Sequence, residues 1–305
     1  MMIGEMNTMR RLMLMVLTVA VLCSLAATVC AGPVMTGLKG WYKPETLVPG
    51  TITAWSDSSG TGNNLTYFSG GIPSAIGING LRYVDFNNAE SYCRLKSGVN
   101  HNAPDCETAN GMDSTEFQVF YVVANYNGGD LGAVAPGVIS ANNEKASFGL
   151  RSENWTGNWG GAAYTGLGAG HQGGNLYSSE GTCRPGGSAP PASGGFIYEA
   201  SFGTHAYDME VGVDGVLATQ NVLAAPSWAS WKAAPFSAVS RGIMLGFNFG
   251  ILRADLYEVL IYNRKLTTEE SNQVGAYLSQ KYGVSYTPRT DPVPIAGLKG
   301  WYKSD

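Results

Sequence analysis

The chain has 305 residues, with 19 Lys and Arg against 23 Asp and Glu and a formal net charge of −4. Only 14% of residues are charged, against roughly a quarter in an average soluble domain, while the 41 glycines are about twice the usual share. A hydrophobic fraction of 44% excludes a disordered polymer, and the weak acidity excludes a nucleic-acid binder, which needs a basic face. This balance describes short strands joined by many turns, in an exported all-β protein.

Arg10 and Arg11 precede an apolar run from Leu12 to Val29, and Val29-Cys30-Ala31 puts small residues ahead of Gly32. That pattern predicts a signal peptide over residues 1–31, cleaved to leave a secreted or envelope protein with no membrane span. The rival, a membrane anchor, needs about 20 apolar residues; the run falls slightly short and ends in Ala, Thr and Cys. Without Cys23 and Cys30, the mature chain keeps Cys93, Cys106 and Cys183, which lack metal-ligand spacing. In an oxidising compartment Cys93 and Cys106 are the expected disulfide, as the nearest pair, with Cys183 able to compete for either.

Gly37-Leu-Lys-Gly-Trp-Tyr-Lys43 recurs unchanged as Gly297-Leu-Lys-Gly-Trp-Tyr-Lys303. Seven identical residues predict a tandem array: a complete unit over 32–286, a proline-containing linker over 287–296, and the start of a second unit at 297–305. The blander alternative makes both copies edge strands of one sandwich. Between them, Glu116 to Asn125 is nearly continuous in aromatic and β-branched residues, as in a strand covered on both faces. Shorter candidates are Gly137–Ala141, Phe148–Arg151 and Phe196–Phe202. Tyr207 to Val213 alternates apolar and acidic positions, and Asp214-Gly215 then supplies a tight hairpin returning through Val216 to Ala218. Gly242–Phe249 and Ala254–Tyr262 bring the expected strands to at least eight.

Thr267 and Glu270 form a capping box for one short helix, whose apolar stripe is Val274, Tyr277, Leu278 and Tyr282 and whose stop is Gly283. The expected fold is therefore a two-sheet antiparallel β-sandwich with one short C-terminal helix plugging it.

Three segments carry a family resemblance. Trp55-Ser-Asp57-Ser-Ser-Gly60 with Asn63 and Asn64, Gly80-Leu-Arg-Tyr-Val-Asp-Phe86, and Leu256 to Leu266 ahead of the capped helix resemble, in order and spacing, the laminin-G-like branch of the concanavalin A-like lectin/glucanase superfamily. The resemblance spans about residues 37–286. It implies a jelly-roll sandwich, often repeated in exported bacterial proteins that bind glycans or cell surfaces, and it names no ligand.

Some members of that superfamily are glycoside hydrolases with carboxylates at i, i+2 and i+4 on one strand. Asp255 and Glu258 are three apart, so strand alternation predicts opposite faces and excludes them as such a pair; the resemblance makes Glu258 structural, bonding to a turn. Asp208 and Glu210 do share a face, roughly 6.5–7 Å apart, near the spacing of an inverting glycosidase. They are the residues of a hydrolase reading, against the simpler one of a solvated strand face. His101, His171 and His205 are scattered, and no nucleophile elbow or phosphate loop occurs. Calcium is the cofactor most compatible with the class, with Asp57, Ser59, Asn63 and Asn64 as oxygen ligands in one loop, although the same residues equally set an Asx-turn loop. The candidates for contact are aromatic: Trp155 and Trp159 with Asn154, Asn158 and Tyr164 place rings beside amides, a composition suited to sugars. Trp228 and Trp231 are a second group, and core packing is the alternative for both. The expected function is a non-catalytic module that binds carbohydrate or a surface polymer; a polysaccharide hydrolase and an adhesive repeat contacting its neighbours are the alternatives.

Overall fold

The computed structural model describes residues 32–67, 71–88, 95–97, 109–112, 114, 116–126, 134–136, 150–152, 167–169, 194–202, 209–217, 241–245 and 253–290. The larger sheet runs β14 (Val216–Leu217), β13 (Met209–Val213), β12 (Gly195–Phe202), β8 (Phe117–Ala124), β16 (Asp255–Tyr262), β6 (Arg82–Asp85), β5 (Pro73–Ile76) and β2 (Gly50–Thr51). β1 (Leu38–Tyr42) also pairs with β16, beside the stretch taken by β6. The second sheet runs β3 (Ala54–Trp55), β4 (Leu65–Tyr67), β7 (Leu95–Ser97), β15 (Arg241–Leu245) and β9 (Val134–Pro136). β10 (Leu150–Ser152) and β11 (Leu167–Ala169) form a separate antiparallel ladder, and every pairing described is antiparallel. The all-β sandwich expected from composition is the observed architecture.

Why β8 reads as an unbroken apolar run is now plain: both its faces are covered. Phe117, Val119, Tyr121 and Val123 point between the sheets, where they meet Trp55, Leu65, Leu95, Ile243 and Leu245. Phe120, Val122 and Ala124 point the other way, toward α1 (Thr268–Tyr282), and meet Val274, Leu278 and Tyr282. Each such Val, Leu, Ile or Phe side chain stabilises the fold by roughly 1.5–3 kcal/mol through burial. The molecule is thus layered as sheet, sheet and helix.

α1 begins with the capping box read from the sequence: Thr267 Oγ1 accepts from the Glu270 N–H at 3.2 Å, and Glu270 accepts from the Thr267 N–H at 2.9 Å. It ends at Gly283, whose φ of 66° lies in the left-handed region. Buried Gln118 on β8 fixes the helix start, donating to Ser271 Oγ at 2.9 Å and accepting from the Leu266 N–H at 2.8 Å. The hairpin at Asp214-Gly215 also forms, with φ of 53° and 80° as a type I′ turn requires. No helix among the described residues is long and apolar enough to cross a membrane.

Residues 284–290 continue past the helix as a strap. Tyr286 packs in the helix-side cluster, the Thr287 N–H donates to the Asp214 carbonyl at 2.8 Å, and Arg289 and Asn272 bond each other's backbone and amide at 2.8 Å. The Arg289 guanidinium forms a buried ion pair with Glu199 of β12. Burial pulls its pKa down to about 10, which leaves it charged at neutral pH. The first residues of the segment read as linker are therefore docked on the sheet. Residues 1–31, 137–141 and 297–305 lie outside the described residues.

Candidate functional site

The residues nominated from sequence fall into three groups. Asn154, Trp155, Asn158, Trp159 and Tyr164 lie outside the described residues, as do Trp228, Trp231, Cys93, Cys106, Cys183, His101, His171 and His205. What is described is the base of the ring-rich segment. β10 and β11 pair with Leu150 opposite Ala169 and Ser152 opposite Leu167, so residues 153–166 start and finish on neighbouring strands. This hairpin base lies against β12 and β13.

Asp208 also lies outside the described residues. Glu210 is on β13 opposite Ser201, and its neighbours in register, Val211 and Val213, face Ala200 and Tyr198 of the intersheet core. Position 210 therefore belongs to the outer face of the sheet, the face that carries Glu199.

Asp255 and Glu258 require a correction. The register of β16 shifts between Leu256 and Glu258, where Tyr257 is the extra residue of a β-bulge. Leu256 and Val259 point between the sheets, while Tyr257 and Leu260 point toward the helix. Glu258 sits opposite Val122 and Asp255 opposite Ala124, both on the helix side. The two carboxylates therefore share a face, because the bulge cancels the alternation on which their separation was reckoned. For the same reason Glu258 and Leu256, two positions apart, lie on opposite faces.

They nonetheless belong to different centres. Glu258 is fully buried beneath α1. Its Oε1 accepts from the Trp41 indole at 2.6 Å and the Tyr277 hydroxyl at 2.9 Å; its Oε2 accepts from the Tyr282 hydroxyl at 2.6 Å and Lys281 Nζ at 2.7 Å. Lys281 also reaches Glu45 at 3.0 Å. A buried carboxylate is tolerable only with a partner charge and its lone pairs filled, and here both conditions hold. The resemblance had it bonding to a turn; its partners are instead the first strand and the last helix.

Among the described residues, no cation contacts Asp255. Asn87 Nδ2 donates to its Oδ1 at 2.9 Å and Asn125 Nδ2 to its Oδ2 at 2.6 Å. Directly across the ladder is Asp85, which accepts from the Asn88 N–H at 3.0 Å and Asn88 Nδ2 at 2.7 Å. Both carboxylates are nearly inaccessible, at 4% and 6% exposure. Burial raises the Asp255 pKa first; the two amides oppose it and the Asp85 charge adds to it. Tyr83, beside the pair, is pushed up to about 12 by burial and then by Asp255 and Asp85. Asp85 was not singled out from the sequence, although it lies inside the Gly80–Phe86 motif; its partner is far away in the chain, and only strand pairing joins them.

The Asp57 loop is a third centre. Asp57 Oδ1 accepts from the N–H groups of Trp41 and Ser59 at 2.9 and 2.8 Å. Its Oδ2 accepts from Ser59 Oγ, Thr61 Oγ1 and the Asn63 N–H at 2.8 to 3.0 Å. Asn64 Oδ1 accepts from the Asp57 N–H at 2.9 Å, and Asn63 Oδ1 from the Asn110 N–H at 2.7 Å. A calcium ion needs lone pairs converging on one point. Here the oxygens of Asp57, Asn63 and Asn64 are turned to N–H and O–H donors, so this donor set does not fit a cation and serves as an Asx-turn hub. No group of three or more metal-ligating side chains occurs among the described residues.

Neither a family model nor a curated protein matches the chain in sequence. Solved structures do match in fold. Domain 4 of AbnA, a GH43 extracellular arabinanase from Geobacillus stearothermophilus solved with arabinotriose, is 16% identical with a TM-score of 0.50, over 79% of this chain and 98% of that domain. A GH54 α-L-arabinofuranosidase is 17% identical at a TM-score of 0.46, over 81% of this chain and 54% of that one. A sialidase from Trypanosoma rangeli is 14% identical at 0.42, over 81% and 33%. The chain thus spans about half of the arabinofuranosidase and a third of the sialidase. At these identities the first likeness establishes a shared β-sandwich fold.

Proposed function

We propose that this protein is an exported module that binds carbohydrate or another surface polymer without performing chemistry on it, using the ring-rich segment from Asn154 to Tyr164. The observation that supports this most directly is the pairing of β10 with β11, which ties both ends of that segment to one spot on a sandwich scaffold. Flat rings present the apolar faces that sugar rings stack on, and Asn154 and Asn158 supply donors and acceptors for hydroxyls. The domain of similar fold was solved with arabinotriose, which makes a pentose oligosaccharide the first ligand to try. The buried carboxylates support the non-catalytic half of the reading. Asp85, Glu199, Asp255 and Glu258 are each engaged by donors or cations of this chain, as scaffold carboxylates are.

The test is retention of the chain on immobilised polysaccharides, arabinan included, with release of soluble sugar followed over hours. Retention on one polymer class that Trp155→Ala or Trp159→Ala abolishes, without sugar release, is the expected result. Failure to bind any polymer sinks the binding reading, and fragments accumulating with time would establish a hydrolase.

A further inference from the structure

β1 is held by its particular residues as well as by its backbone. One edge pairs with β16, Leu38 opposite Tyr262 and Tyr42 opposite Val259. The other edge is read by the Asp57 loop. The Ser58 N–H donates to the Trp41 carbonyl at 2.8 Å and Asn63 Nδ2 to the Lys39 carbonyl at 2.7 Å, with Thr61 Oγ1 2.8 Å from the same carbonyl. The loop therefore acts as a surrogate strand.

The side chains are matched just as closely. Leu38 is buried in the helix-side cluster, and the Trp41 indole fills one acceptor of Glu258. Tyr42 is fully buried, its ring 5.7 Å from that of Trp55 and its hydroxyl donating to the Asn63 carbonyl at 2.6 Å. A Cβ at Gly40 would come within 3.0 Å of the Tyr42 ring, so glycine at this position leaves room for that ring. The Lys43 ammonium lies 4.4 Å above the Trp41 ring, and its carbonyl accepts from Trp55 Nε1 at 3.0 Å.

Gly297–Lys303 reproduces all of these residues. A strand with the same residues meets the slot with the same contacts. We infer that Gly297–Lys303 is a donor strand for the β1 slot of a second copy of this chain, replacing that copy's own Leu38–Tyr42. Over these seven residues the exchange trades like contacts for like, so its cost is the association entropy of two chains and high protein concentration is what drives it. The strap, docked through Arg289, leaves residues 291–296 as the tether to the donor. This inference is independent of any carbohydrate function.

The test compares the full chain with Trp41→Ala, Trp301→Ala and the double variant. Each is refolded from denaturant at low and high protein concentration and sized by light scattering. The wild type should give oligomers at high concentration, Trp301→Ala should lose them, and Trp41→Ala should increase them, because its own first strand is the weaker donor. The double variant should be monomeric and the least stable. Four monomers, or oligomers that persist in Trp301→Ala, would overturn the inference. So would a Trp41→Ala monomer rescued by Trp301, since that places the donor in its own slot. If Trp41→Ala does not fold, a labelled synthetic peptide of residues 295–305, added to refolding wild type, gives the reading instead. Incorporation that a peptide with Trp301→Ala lacks supports the exchange, and equal incorporation refutes it.

Discussion

Glu258 and Asp255 stand three residues apart on β16 and, through the bulge at Tyr257, on the same face of the sheet. Glu258 lies under the helix and meets an indole, two hydroxyls and the Lys281 ammonium. Asp255 lies at the end of the sheet, where its donors among the described residues are two amides, opposite a second carboxylate. The same residue chemistry on one strand therefore yields two electrostatic situations. One is a neutralised anchor that ties three elements together. The other is a like-charge pair in which the hydrogen bonds to Asp255 offset its burial only in part. What separates them is whether a neighbouring element brings a cation, and among the described residues α1 and its strap do so for Glu258 and Glu199.

The comparison breaks most visibly when the anchor loses its charge. Glu258→Gln leaves Lys281 without its buried partner and turns an amide donor toward hydroxyls that already donate. It should cost about 3–5 kcal/mol in urea unfolding. Adding Lys281→Met should recover part of that loss, because the stranded ammonium goes too; equal losses in both variants would mean the pair is not coupled. Arg289→Ala, which strands Glu199 at 2% side-chain exposure, should cost about 3 kcal/mol by the same argument. A chain with that variant and Glu199→Gln should regain stability. Unchanged unfolding in Arg289→Ala would show that the strap is not part of the folded unit.

Much of this scaffold is legible in the sequence where its signals are local. Thr267, Glu270 and Gly283 delimit the helix by rules acting within four residues, and the apolar run of β8 declares a strand covered twice. Asp214-Gly215 names its own turn. The centres are not local. A bulge leaves no mark in the alternation of β16, so counting parity separates two carboxylates that the fold places side by side. Asp57 meets Trp41 through a backbone N–H, a group every residue but proline carries, so no side-chain pattern announces the contact. Asp85 meets Asp255 across a ladder between strands at opposite ends of the domain. Sequence reading found the loop, the strand and the helix, and could not find what they hold between them.

A smaller effect of opposite sign should sharpen the contrast. Like charges directly opposite on a ladder are destabilising, so Asp85→Asn should stabilise the protein at neutral pH by roughly 0.2–1 kcal/mol. The pH dependence follows from the raised pKa of Asp255. The folded state holds that proton more tightly than the unfolded chain, so the contribution is complete below the ordinary carboxylate range. It is lost as pH rises through the folded value. Asp85→Asn should flatten that decline, which unfolding midpoints between pH 4 and pH 8 would reveal. A lower stability at neutral pH would mean that Asn88 depends on the Asp85 charge more than Asp255 suffers from it.

Glu270 supplies the mirror image at the smallest scale. Its carboxylate pairs with Arg264 at 2.6 and 2.8 Å and accepts from the Thr267 N–H, and these partners hold its pKa at about 2 against an ordinary 4.5. Here the unfolded chain binds the proton more tightly. The contribution is therefore whole above the ordinary value and disappears as pH falls toward 2, opposite to that of Asp255. Both side chains are about a quarter exposed, so solvent screens the pair and Glu270→Gln should cost only about 0.5–1 kcal/mol at neutral pH. The glutamine keeps the capping box, since its carbonyl still accepts from the Thr267 N–H, and loses the ion pair alone. With Glu270 silent, the remaining slope between pH 5 and pH 2 should rest more on Asp255, and stability should fall less steeply with acid than in the wild type. An unchanged acid limb would place the acid sensitivity in carboxylates other than Glu270, and the helix cap would then contribute through its geometry and not through its charge.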